Sequence, residues 1–353
     1  MAIESIALVG DFSPGSLEQS YQRAFELIGV RTHTFDTGQF RHELSWVLRN
    51  RLAHRLTIQS NVIRERASRT FNRCLEKAVL QTGVAELLII KGEFVMGETL
   101  HNLRKKGVRV ACYYPDNPFP PNPSQRPETL VAARETDLYL IWSERLVGAL
   151  RKTGVRNPVF LPFAWDSEVF PYQDSRPQGS WPGVLFLGTW EKSREEFLEE
   201  LAGSVPLRIY GSHYWGTRTK ARGRVRSCWQ GHALHLAEAA RMIRESAISL
   251  NLLRDQHVID GAPDGLIMRH FEVPGAGGFL LSTRGGGATT LFPERETGEY
   301  FTGLSECVEK AKSYIANELA RRKLAEAAHA MVVSQHQYTD RARQILRLLG
   351  ECR

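Results

Sequence analysis

Short apolar runs of strand length alternate with longer amphipathic stretches along the whole chain, the pattern of an α/β fold. In the first half, strands are predicted at residues 6–10, 31–35, 86–92, 109–114, 138–143 and 159–163, with helices at 17–28 and 99–106 between them. Residues 42–81, rich in Arg, Leu and Glu, form the longest helical candidate, with a break near Asn61. After a Pro- and Gly-rich segment at 170–183 the alternation restarts. Strands are then expected at 184–188, 207–211, 247–253 and 279–282, and helices at 193–202, 236–245, 305–316 and 318–335. A last helix at 339–349 follows the second set of strands.

The chain's 353 residues exceed one ordinary core. The spacing supports two Rossmann-like domains facing a central cleft, residues 1–168 and 169–335. Residues 336–353 form a helix expected to pack back toward the first domain. In such sheets ligands bind at the carboxyl ends of the strands. No internal repeat of 20–50 residues is visible.

Composition narrows the class. The chain is 42% hydrophobic and 24% charged, with no apolar run long enough for a transmembrane helix. Met1-Ala2-Ile3-Glu4-Ser5 leads straight into a strand without a signal-peptide layout. Cys74, Cys112, Cys228, Cys307 and Cys352 are scattered, so a cytoplasmic protein with reduced thiols and no zinc site is expected. The net charge of +7 is uneven: Arg218, Lys220, Arg222, Arg224 and Arg226 crowd one segment flanked by Trp215 and Trp229. That segment reads either as a solvated flexible loop or as a clamp on a polyanion, such as an anionic acceptor, a nucleic acid or a membrane surface.

Several strand ends carry candidate chemistry. Gly10 and Gly15 bracket a loop between the first strand and the first helix, where backbone N–H groups could face an anion or merely turn the chain. Asp116, among prolines after a strand, could take a proton from an acceptor hydroxyl or cap the turn. Gly188, Lys192 and Arg194 lie where a strand turns into a helix, and cations there suit a pyrophosphate. Gly211 permits close approach to the backbone, for which a nucleobase edge is a candidate guest, and Asn251 with Arg254 leaves another strand end. Arg269 and Glu272 stand three residues apart on a helix that ends in Gly275, Gly277 and Gly278. Asp264 precedes Glu272 by eight positions; on a continuous helix that is roughly 12 Å, about the separation of ribose and sugar in a nucleotide-sugar. His232, His235 and His270 form no metal-ligand pattern, and no G-x-S-x-G, Walker A or G-x-G-x-x-G motif occurs.

Three stretches carry a family likeness: Leu161-Pro162-Phe163-Ala164-Trp165-Asp166, Phe186-Leu187-Gly188-Thr189, and Arg269-x-Phe271-Glu272-x-x-Gly275-Ala276-Gly277-Gly278. With Leu291-Phe292-Pro293 and His336-x-Tyr338-x-x-Arg341, they resemble the CgeB-like (spore maturation type) glycosyltransferases. The first half matches mainly through Lys91-Gly92 and Asp116-x-Pro118. That family is similar to the family-four retaining glycosyltransferases of GT-B fold, whose E-x7-E motif falls on Asp264 and Glu272. The resemblance implies that Glu272 holds the donor ribose, Asp264 the donor sugar, and Gly265 the approach of the pyrophosphate. It implies further that Lys192 and Arg194 neutralise the leaving diphosphate, without a metal or other cofactor. The expected activity is hexosyl transfer from a nucleoside diphosphate sugar to an unidentified acceptor, with Asp116 as the catalytic candidate. A non-catalytic basic protein binding nucleic acid or another polyanion, and a sugar-nucleotide epimerase, remain open alternatives.

Overall fold

Two parallel sheets organise the chain, one in each of two units: residues 1–161 with 338–353, and residues 162–337. The computed structural model describes residues 3–38, 61–92, 94–119, 127–173, 181–220 and 222–352. The α/β class expected from the hydrophobic pattern is the one observed.

Unit 1 runs β1 (Ser5–Gly10), α1 (Leu17–Leu27), β2 (Arg31–Asp36), α2 (Asn61–Thr82), β3 (Glu86–Ile90), α3 (Gly97–Lys105), β4 (Arg109–Tyr114), α4 (Pro127–Arg134), β5 (Leu138–Ile141), α5 (Glu144–Lys152) and β6 (Pro158–Phe160). The strands lie in the order β2-β1-β3-β4-β5-β6, all parallel. Ile6, Leu8, Leu87, Leu88, Leu138 and Leu140 are fully buried, which is why these strands read as unbroken apolar runs rather than alternating ones. Ser16 caps α1 by accepting from Gln19 N, and Ser143 caps α5 by accepting from Leu146 N. Of the long helix expected over 42–81, the part from Asn61 is helical; residues 42–60 lie outside the described residues.

Unit 2 runs β7 (Trp181–Leu187), α6 (Lys192–Leu201), β8 (Leu207–Tyr210), α7 (Tyr214–Thr217), α8 (Arg224–Cys228), α9 (Leu236–Glu245), β9 (Ser246–Asn251), β10 (Val258–Ile259), β11 (Ala262–Pro263), α10 (Arg269–Gly275), β12 (Leu280–Thr283), α11 (Gly286–Leu291), β13 (Glu299–Phe301), α12 (Leu304–Ala316) and α13 (Glu318–Gln335). Its main sheet has the order β13-β12-β9-β7-β8, again all parallel; β10 and β11 form a separate antiparallel hairpin. Phe186, Ile209, Trp215, Ile248, Phe279 and Phe301 lie at the centre of its core. Strand β7 starts at Trp181, inside the segment read as linker. A register irregularity between Trp181 and Val184 absorbs Pro182 and Gly183, while the Arg208 guanidinium stacks 4.4 Å over the Trp181 ring.

The last helix, α14 (Tyr338–Glu351), belongs to unit 1. The Tyr338 ring meets Tyr21 of α1 edge-on at 5.1 Å, and the Leu349 carbonyl accepts from Arg109 Nη1 at 3.2 Å. Among the described residues no helix is long and apolar enough to cross a membrane.

Each main sheet has one reversal of strand order, between β1 and β3 in unit 1 and between β7 and β9 in unit 2. At such a point the connections leave in opposite directions and open a crevice at the carboxyl ends.

Candidate functional site

The unit 2 reversal is built around Arg194. From the first turn of α6 its side chain reaches under the loops that leave β7 and β9. There Nη1 donates to the Thr189 carbonyl at 3.1 Å and to Thr189 Oγ1 at 3.3 Å, and Nη2 donates to the Leu252 carbonyl. The residue is 6% exposed, and burial pulls its guanidinium down to about 10, with Glu191 opposing the fall and Arg254 and Arg269 adding to it. Arg194 thus ties two strand ends together. Lys192, the other cation expected on a diphosphate, lies on the surface and pairs with Glu196 at 3.2 Å.

Two further guanidinium groups gather at the same edge. Arg254 Nε donates to Glu191 Oε1 at 2.6 Å, and the second oxygen of Glu191 accepts from Asp255 N at 3.2 Å. His257 lies beneath, its Nδ1 accepting from Arg254 N; burial pushes it down to about 3, so it stays neutral. Arg269 forms an ion pair with Glu272 across one turn of α10. The Glu272 side chain is 8% exposed and that of Arg269 27%. Beside Arg194 and Arg254 a cavity of about 250 Å³ opens, lined also by Leu252, Asp255, Thr283 and Thr302.

The segment from Asp264 to Glu272 differs from the helix expected of it. Helix α10 begins only at Arg269. Asp264 lies outside it, its N–H donating to the His257 carbonyl at 2.8 Å as a continuation of the β10–β11 hairpin. The 12 Å helical rise therefore does not apply. The physical reason is Gly265: a Cβ there would stand 2.9 Å from both Leu253 methyls, and the Cβ position of Gly285 is 2.5 Å from Gly265 N. That close packing fits the non-helical turn seen here, in which Ile267 N donates back to the Gly265 carbonyl at 3.1 Å. Asp264, 4% exposed, accepts from Gly287 N at 3.4 Å at the start of α11.

Asn251 is turned inward. Its Nδ2 donates to Ser282 Oγ at 2.9 Å, and His270 Nε2 meets the same oxygen at 3.1 Å. His270 Nδ1 accepts from Ile267 N, and burial pushes the imidazole down to about 4, so it is neutral. This Asn251–Ser282–His270 relay joins β9, β12 and α10 and fixes the helix that carries Glu272. Periodicity gave no signal for it.

Gly188 and Gly211 meet each other instead of a base: a Cβ on Gly211 would lie 2.1 Å from the Gly188 carbonyl oxygen, which already accepts from Trp215 Nε1 at 2.8 Å. Because that obstacle is backbone, Gly211→Ala is expected to destabilise unit 2 by about 1–3 kcal/mol, read as a lower urea midpoint. An unchanged midpoint would show that the two turns are not locked together.

Within the basic segment Arg218 follows α7 directly, and Arg224 and Arg226 lie on α8. Arg218 lies over the rings of both Trp190 (5.1 Å) and Tyr214 (4.1 Å), Arg226 lies over Trp229 at 5.3 Å, and Glu199 accepts from Arg224 N and Val225 N.

In unit 1, Asp116 pairs with Lys91 Nζ at 3.2 Å beyond β4 and β3. Of the two readings of the Gly10–Ser16 turn, N–H groups facing an anion or a mere turn of the chain, the hydrogen bonds fit the second: Asp11 N is taken by Glu18 Oε1, Phe12 N by Asp36 Oδ1, Ser13 N by Asp11 Oδ1, Gly15 N by Gln19 Oε1 and Ser16 N by the Ser13 carbonyl. Gly15 itself takes a left-handed φ of 76°. Among the described residues no group of three or more His, Cys, Asp or Glu is arranged to hold a metal ion.

Comparison with known proteins places this geometry. Residues 192–347 match the family model described as "Glycosyl transferase-like". No curated protein sequence matches the chain. Among solved structures, a sucrose-phosphate synthase from Thermosynechococcus elongatus is similar with a TM-score of 0.68 at 13% identity, covering 99% of this chain and 98% of that one. A glycosyltransferase from Rickettsia africae gives 0.66 at 12% identity, covering 99% and 98%. The HepE protein of Anabaena in complex with UDP-glucose gives 0.63 at 12% identity, covering 98% and 99%. The chain has the GT-B fold, and its residues 192–347 are similar to the glycosyl transferase-like family model.

Proposed function

We propose that this chain is a glycosyltransferase of the CgeB-like type, moving a sugar from a nucleoside diphosphate sugar to an acceptor hydroxyl with retention and without a metal. The observation that carries the reading is the Arg269–Glu272 pair, presented at the carboxyl edge of the unit 2 sheet on a helix braced by a neutral buried histidine. A nearly buried carboxylate fixed by an arginine suits a ribose diol, since it can accept two hydroxyl hydrogen bonds without reorganising. Arg254 and Arg269, drawn together with Arg194 at one edge, would stabilise the charge that develops on the diphosphate as its bond to the sugar breaks. They replace Lys192 and Arg194 in that role. Asp264 is the candidate contact to the donor sugar, and Asp116, held by Lys91, the candidate acceptor-side base.

The complex of HepE with UDP-glucose supports starting with uridine nucleotides. Calorimetry with uridine, guanosine, adenosine and thymidine diphosphates should find saturable binding of at least one. If none of the four binds, the donor site is lost as an interpretation. Product analysis with the matching nucleotide-sugar then reports transfer.

A further inference from the structure

The strand-order reversal in unit 1 holds a second crevice, which the donor chemistry does not use. Between the ends of β1 and β3 lies a cavity of about 40 Å³, lined by Gly10, Asp11, Glu18, Thr37, Lys91 and Gly92 among others. A water molecule needs about 10–15 Å³ of such volume, so one functional group fits and a sugar ring does not. Glu18, from the first turn of α1, is 8% exposed and folds back into this wall. Its stem takes the space a side chain at position 10 would need: a Cβ on Gly10 would lie 2.4 Å from Glu18 Cγ. Lys91 and Gly92, both in the left-handed region at φ 66°, turn the chain sharply after β3, and the Lys91 ammonium is neutralised by Asp116.

Among the described residues the hydrogen-bonding capacity of this crevice leans toward acceptors, its one ammonium, Lys91, being paired with Asp116. The N–H groups of Asp11, Phe12, Ser13, Gly15 and Ser16 are all closed by protein oxygens, and the lining includes the oxygen-bearing residues Asp11, Glu18 and Thr37. An anionic group would meet two carboxyl groups there, whereas a hydrogen-bond donor would meet acceptors from two sides. We propose that this crevice binds a hydroxyl or ammonium group of the acceptor, with Glu18 as its principal hydrogen-bond acceptor, and that it rejects phosphorylated acceptors. The inference rests on the glycosyltransferase reading for calling the ligand an acceptor, but its chemistry is testable alone. Burial also raises the proton affinity of Glu18, opposed by its backbone hydrogen bonds and by Lys91, which suits a group that shares a proton with its ligand.

The probes are glucose, glucosamine and glucose 6-phosphate, titrated into the full chain by ligand-observed NMR, with uridine diphosphate followed in parallel by calorimetry. Glucose or glucosamine should bind saturably, and glucose 6-phosphate at least tenfold more weakly. Glu18→Gln should weaken the glucose or glucosamine signal about tenfold while leaving uridine diphosphate binding and the thermal midpoint in place. Asp11→Asn, which keeps its own turn contact, is the second variant and should act in the same direction. Equal binding of glucose 6-phosphate, insensitivity to both substitutions, or no saturable binding of any probe would overturn the proposal. Loss of uridine diphosphate binding in the unaltered chain would instead count against the donor site.

Discussion

Glu272→Ala is expected to weaken nucleoside diphosphate binding by roughly 100-fold. Hydrogen bonds to a charged group contribute about 1.5–3 kcal/mol each. Losing a two-point grip on a ribose, after water takes back part of the loss, amounts to about 3 kcal/mol, or two factors of ten. The substitution also frees Arg269, whose side chain is 27% exposed and can turn to solvent, so stability should fall by only about 1 kcal/mol. Glu272→Gln separates contact from charge: it keeps the shape and one carbonyl acceptor, so a loss nearer tenfold is expected. Both are read by calorimetry with uridine diphosphate, alongside a thermal melt. If Glu272→Ala binds the nucleotide as tightly as the parent, the ribose assignment is wrong, whatever the fold resembles.

The strands were legible because parallel sheets bury both faces. Runs such as Ile6-Ala7-Leu8-Val9 and Val184-Leu185-Phe186 stand out for that reason, and the glycines after them mark where the chain turns. What escaped was short or tertiary. Strand β13 has three residues and β10 and β11 two each, too few to show a period. The eight-residue separation of Asp264 and Glu272 suits a continuous helix, whereas the packing of Gly265 against Leu253 and Gly285 is a fact of three dimensions.

The Arg-x-x-Glu spacing did announce a pair on one helical face, since residues three apart are neighbours there. Its brace did not show, because Asn251, Ser282 and His270 come from three separate segments. Glu18 was hidden for another reason. An acid in the first turn of a helix reads as a partner of the helix dipole, and only the absence of a side chain at Gly10 reveals that it turns inward.

Arg194 poses the sharpest choice between a structural and a ligand role, and Arg194→Met decides it. A cation just after a strand–glycine turn is the residue type that binds phosphate, and the sequence alone favours that role. The structure instead shows its guanidinium occupied by the carbonyls of Thr189 and Leu252, 58 residues from Arg194 in the latter case, with 6% of the residue exposed. Methionine fills a similar volume but leaves the buried Leu252 carbonyl without this donor, costing about 1–3 kcal/mol, while the Thr189 carbonyl, on an exposed residue, can turn to water. Part of this is offset because a buried charge is removed; burial already pulls Arg194 down to about 10. A net loss of about 2 kcal/mol is expected, which for a domain of this size lowers the thermal midpoint by roughly 4–8 °C. Nucleotide affinity, measured well below that midpoint, should fall less than in Glu272→Ala, since the variant loosens the loops without removing a contact to the donor. The opposite pattern, an unchanged melt with binding abolished, would return Arg194 to the diphosphate and take the strand-tying role from it.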